Sequence, residues 1–148
     1  MEKIIVSACL LGLSTRYDGK SKPSISEEQL KKLAEKFHII PVCPEIYGGL
    51  PTPRVPSERI GERVVMKDGA DVTENYSKGA YETLSVCQLF GVKKALLKAK
   101  SPSCSKAEIY DGSFTGTLVN GLGVTAELLI KNGIEVFDEN DINLLIAR

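Results

Sequence analysis

Three cysteines stand where apolar runs end. Cys9 follows KIIVSA, Cys43 closes HIIPVC and Cys104 follows KKALLKA in the segment KAKSPSC. Soft thiolates of this kind bind zinc or iron–sulfur groups, or act as nucleophiles. Glu45 comes two residues after Cys43, a carboxylate within reach of whatever that thiol holds. A structural zinc site usually draws on close cysteine pairs such as C-x2-C and on four ligands. No such pair occurs, and the spacings of 34 and then 61 residues match no ferredoxin run. Three thiols without a fourth partner suit a [4Fe-4S] cluster with one open iron. Spacing alone does not choose iron over zinc.

The nucleophile readings are weaker. Cys9 and Arg16 resemble a C-x5-R phosphate loop, but six residues, LLGLST, lie between them. A cysteine–histidine pair would need His38, the single histidine, which begins the run that Cys43 ends. Five residues of extended chain separate them by about 16 Å, so His38 is expected at the far, solvent-facing end of that strand. The fourth cysteine, Cys87, shares a helical face with Ala80 and Leu84 and is expected to be core.

The elements that position these groups read as α/β. Strands are expected at 3–8, 38–43, 93–99 and 134–138, each short, apolar and rich in aliphatic residues, as parallel strands covered on both faces are. Helices are expected between and after them. The first spans 26–37, capped by Ser26, with Leu30, Leu33, Ala34 and Phe37 on one face. The second spans 73–91, capped by Thr73 and stopped by Gly91. The third covers 123–133, and a closing helix over 138–148 is capped by Asp138. The alternation predicts one domain over 1–148, a mainly parallel sheet flanked by helices in a Rossmann-like three-layer arrangement. Ligands of such sheets bind beyond the carboxyl ends of the strands, so Cys9, Cys43 and Cys104 are expected at one edge. The segment 44–72, with three further prolines and four glycines, reads as a long loop holding a short hairpin around 62–71. Tyr-Asp-Gly, at 17–19 and again at 110–112, reads as two similar turns.

Composition excludes several function classes. The chain has 148 residues and 43% hydrophobic residues, enough for a core. Nineteen basic and nineteen acidic residues give zero net charge, so general nucleic-acid binding is not expected. No apolar run reaches the roughly 18 residues of a membrane helix. The apolar start runs into STRYDGK without a small-residue cleavage site, and a cytoplasmic protein is expected. In that compartment cysteines serve as ligands, reactive thiols or core more often than as disulfides.

VSACLLG (6–12), RYDGK (16–20), PVCPEIYGGLPTPR (41–54), LLKAKSPSC (96–104), YDGSF (110–114) and GVTAELL (123–129) together resemble the domain-of-unknown-function 523 family, whose characterised members are thiouracil desulfidases. The blocks keep their order over nearly the whole chain. The resemblance implies a [4Fe-4S] cluster held by Cys9, Cys43 and Cys104. It also implies catalytic roles for Glu45 and Ser101 beside the open iron. Where the family often has glycine after the last cysteine, this chain has Ser105. The implied reaction is non-redox. The open iron acts as a Lewis acid on a thiocarbonyl, Glu45 activates water, and C=O replaces C=S with release of sulfide. The implied partners are a small thiolated nucleobase or nucleoside and the proteins of cluster assembly. Two rivals remain: a cluster-bearing sulfur carrier or sulfide donor, in which Glu45 would be dispensable, and a zinc or thiol enzyme. Arg16, Arg54 and Lys100 are candidates to face an anion, and Tyr17 and Tyr47 to stack on a base. Gly48 and Gly49 are candidates for close backbone approach to the cluster. The helix start at Thr125 is a candidate to bind substrate oxygen or phosphate.

Overall fold

Aliphatic residues in unbroken runs leave a strand no polar face, so both faces must be covered. In the computed structural model, which describes residues 1–20 and 24–147, four such runs become β1 (Glu2–Ser7), β2 (Phe37–Val42), β5 (Lys94–Leu97) and β8 (Glu135–Asp138). They form one sheet in the order β2-β1-β5-β8, parallel at every pairing. Successive residues of β1 serve opposite layers. Ile4 and Val6 pack with Leu33 of α1 (Glu27–Lys36) and Leu145 of α5 (Ile142–Ala147). Ile5 packs with Leu84 and Cys87 of α3 (Thr73–Phe90) and Leu129 of α4 (Val124–Lys131). This is the three-layer arrangement expected. Truncating a fully buried member such as Leu129 to Ala would cost about 2–5 kcal/mol.

The element ends show local chemistry at work. Ser26 caps α1 as expected: its hydroxyl accepts from Gln29 N at 3.1 Å, and Gln29 Oε1 accepts from Ser26 N in return. Phe37 leaves the helix face on which it was expected and opens β2, its ring buried, so helix passes to strand without a loop. Thr73 does not cap α3. Its N–H donates to Asp71 Oδ1 at 2.9 Å, and its Oγ1 accepts from Val64 N at 2.9 Å, tying the helix start to the neighbouring strand. Gly91, at φ 69°, ends α3 as expected. Asp138 caps a 3-10 turn over Glu139–Asp141, which runs on into α5.

The segment after Pro44 is more ordered than a long loop. It opens with α2 (Pro44–Tyr47) and carries a hairpin of β3 (Ser57–Ile60) and β4 (Arg63–Met66), earlier in the chain than expected. A second hairpin, β6 (Glu108–Tyr110) with β7 (Leu118–Asn120), was not expected; its three-residue strands are too short to show alternation. Among the described residues, no helix is long and apolar enough to cross a membrane.

Candidate metal centre and catalytic cavity

β1, β2 and β5 end at one edge of the sheet, and each hands its chain to a cysteine-bearing turn. Cys9 sits in a 3-10 turn, Ala8–Leu11, directly after β1. Cys43 directly follows β2, and Pro44 forces the helical turn of α2, which places Glu45 one residue further on. Cys104 lies in the turn after β5. Ser101 Oγ shapes that turn by accepting from Ser103 N at 3.1 Å and Cys104 N at 3.0 Å. The three thiols, Glu45 and Ser101 line one cavity of about 530 Å3.

Close packing fixes the backbones around it. A Cβ on Gly123 would stand 2.3 Å from the carbonyl carbon of Ser103, so α4 presses its amino end against the Cys104 turn. Thr125 N donates to Ser103 O at 2.8 Å, Val124 N to Pro102 O at 2.9 Å, and the Ser103 and Thr125 hydroxyls meet at 2.7 Å. The amides expected to bind substrate oxygen or phosphate therefore hold the Cys104 turn instead. Gly48 allows α2 to touch α3, since its Cβ would lie 2.0 Å from Asn75 O; Gly79 does the same from the other side, against Pro44 O. Gly48 thus serves helix packing rather than approach to a cluster. Ser105 is buried in a turn, donating to Glu108 O at 2.5 Å and accepting from Ala107 N at 3.3 Å.

Electrostatics single out the same place. Burial raises the Cys9 thiol to about 11, with the Glu45 carboxylate adding to the shift. Burial and then Glu45 raise Cys43 and Cys104 as well. Ser7 Oγ donates to Cys104 Sγ at 3.6 Å, a weak contact that opposes the rise. Glu45 itself is raised by burial, against the pull of the Arg54 guanidinium 3.7 Å from Oε2. Arg54 is not a surface charge: it is buried at this contact and also donates to Thr15 O and Thr52 Oγ1.

Arg16, Tyr17 and Lys100 also line the cavity. Tyr47 does not; it packs against the α3 side of the core, and its hydroxyl donates to Pro41 O at 3.4 Å. Cys87 is buried among Leu84, Val92 and Leu97, apart from the cavity lining. His38 is exposed on β2, at the opposite end from Cys43. Sequence reasoning missed Lys98, which reaches Glu139 Oε2 at 2.7 Å, and Tyr76, buried in the cavity wall. It also missed Glu58, Tyr110 and Phe114. One signal was available. In both Tyr-Asp-Gly turns the aspartate Oδ1 accepts from the amide two residues on, and both turns present their tyrosine to the cavity.

Fold and site together define an α/β protein with thiols from three strand ends facing one cavity. The chain belongs to the 2-thiouracil desulfurase family, whose sequence model matches residues 4–141. It is 39% identical to Bacillus subtilis (strain 168) "Uncharacterized protein YbbK", over 95% of this chain and 97% of that one. Among solved structures, the [4Fe-4S]-dependent thiouracil desulfidase TudS superposes with a TM-score of 0.93 at 48% identity, over 99% of this chain and 97% of TudS.

Proposed function

We propose that the protein is a [4Fe-4S]-dependent desulfidase of small thiolated nucleobases or nucleosides, replacing C=S by C=O without net redox change. The observation that carries this reading is the convergence of Cys9, Cys43, Cys104 and Glu45 on one cavity. The likeness to TudS, a [4Fe-4S]-dependent thiouracil desulfidase, supports it. The donor set fits such a group. One buried thiol, Cys104, and two half-buried ones, Cys9 and Cys43, beside a carboxylate form a site whose charged state needs a cationic partner. Among the described residues, no three His, Cys, Asp or Glu side chains gather as ligands of a single ion. Thiols spread around a cavity suit a group with several metal atoms.

Cys9, Cys43 and Cys104 would hold the cluster. When bound, it supplies an electrophilic iron that polarises the C=S bond. The chain's own residues do the rest. Glu45, buried and raised, accepts a proton at its carboxylate from the water that attacks the thiocarbonyl carbon. Arg54 keeps that carboxylate oriented. Ser101 uses its oxygen on two backbone amides and so keeps its O–H free to donate to the new carbonyl oxygen. One water enters and sulfide leaves, so atoms and electrons balance.

The test is anaerobic turnover of 2-thiouracil by protein reconstituted with iron and sulfide. Uracil and sulfide should appear in equal amounts with no added reductant. A protein that carries iron but converts no thiolated pyrimidine would instead favour a sulfur carrier.

A further inference from the structure

The cavity wall carries an aromatic residue, Phe114, held there at a conformational cost. Phe114 has φ 57°, in the left-handed region that a residue with a Cβ adopts only when its surroundings enforce it. Glu58 supplies the enforcement. This side chain is only 9% exposed, and its Oε1 accepts from both Gly112 N at 2.9 Å and Phe114 N at 3.1 Å. Gly112 lets the turn lie directly on β3, since a Cβ there would stand 2.2 Å from Ile60 Cγ1. On the outer side, the hydroxyls of Ser113, Thr115 and Thr117 form a chain that begins at Asp111 Oδ1. A Gly-, Ser- and Thr-rich segment would otherwise be loose; here it is fastened from both sides, and Phe114 lines the cavity shared with Cys104 and Glu45.

We infer that Phe114 is the stacking wall for the flat ring of the substrate and that Glu58 is the residue that positions it. This rests on the desulfidase reading and deepens it by assigning the recognition of a planar heterocycle. A small aliphatic thioamide gains little from such a face, whereas a pyrimidine gains dispersion and quadrupole attraction across its whole ring. Strain kept at a cavity wall, and offset by a buried carboxylate that makes no ion pair with the loop it holds, is what a preorganised binding surface requires.

The experiment compares reconstituted, iron-quantified holoenzymes on two substrates, 2-thiouracil and thioacetamide, the second lacking a ring. Phe114→Leu keeps apolar volume and removes the flat face. It should raise KM for thiouracil roughly 5- to 100-fold with kcat within about a factor of three, and leave KM for thioacetamide unchanged. Phe114→Tyr should restore the wild-type values. Glu58→Ala should copy the KM rise of Phe114→Leu, and Glu58→Gln, which keeps an acceptor oxygen for both amides, should not. In the double variant Glu58→Ala with Phe114→Leu, the effects should not add, because Glu58 acts through Phe114.

Wild-type KM for Phe114→Leu, equal losses on both substrates, or additive effects would overturn the inference. If Glu58→Ala fails to fold, the Phe114 series decides. Should iron-loaded wild type turn over nothing, the desulfidase reading fails by itself, and equilibrium dialysis of 2-thiouracil decides the wall. Binding by wild type that Phe114→Leu loses would sustain it, and no binding by wild type would overturn it.

Discussion

Cys87 and Cys104 are both buried, at 1% and 4% exposure, and burial raises both thiols. Around Cys87 that is the whole story. Aliphatic neighbours surround it, its thiol is pushed to about 11 by desolvation alone, and it packs as a small apolar side chain. Cys104 lies across the core at the edge of the sheet. There Glu45, Cys9 and Cys43 add their fields to the effect of burial, and Ser7 opposes it. Burial therefore does not distinguish a core thiol from one proposed as a ligand. What distinguishes them is the number of groups of like charge that the fold brings to one cavity, since only there is a cation needed to stabilise the charged forms.

The comparison can be broken most severely at Cys104. Cys104→Ala should lose bound iron and reduce thiouracil turnover to background, measured by iron content and the visible absorbance of anaerobically purified protein. Retained iron would remove Cys104 from the ligand set. Glu45→Gln should keep the iron and slow turnover by about 10²–10⁴, because the shape survives and the base does not. Near-normal turnover would leave Ser101 as the remaining candidate among the site residues. Gly123→Ala forces the Cys104 turn away from α4. It should lower unfolding stability by about 1–3 kcal/mol in denaturant titration and lower iron retention with it. Cys87→Ala should show the smallest effect: iron content unchanged, and stability reduced by about 1 kcal/mol through the small void left behind. Loss of iron on that change would place Cys87 in the site after all.

The sheet was legible because its signal is local. Ile4, Ile5 and Val6 announce a strand buried on both faces, and Ser26 with Gln29 announces a capped helix. Phe37 was misplaced because an apolar residue at the boundary satisfies a helix face and a strand equally well, and packing alone decides between them. The two hairpins were misread or missed for a related reason. Their strands have three or four residues, and most of what holds them lies outside themselves, as with Glu58 gripping Gly112 and Phe114. The amide groups at the start of α4 looked free in sequence; they are used by the carbonyls of Pro102 and Ser103, a pairing between segments more than twenty residues apart that no local pattern carries.

By itself the sequence determined that the chain is an α/β protein and that Cys9, Cys43 and Cys104 follow strands. A parallel sheet then sends all three to the same edge, because every strand runs the same way. Tertiary structure alone decided what faces those thiols. Arg54, a candidate to face an anion, became the buried partner of the Glu45 carboxylate, and Tyr47, a candidate to stack on a base, turned into the core. Glu58 entered the wall from a segment that reads in sequence as a long loop, and Phe114 from one that shows only a turn. The physical reason is range. Strand and helix signals come from neighbours along the chain, whereas a cavity wall is made by side chains whose directions are set by packing between distant segments.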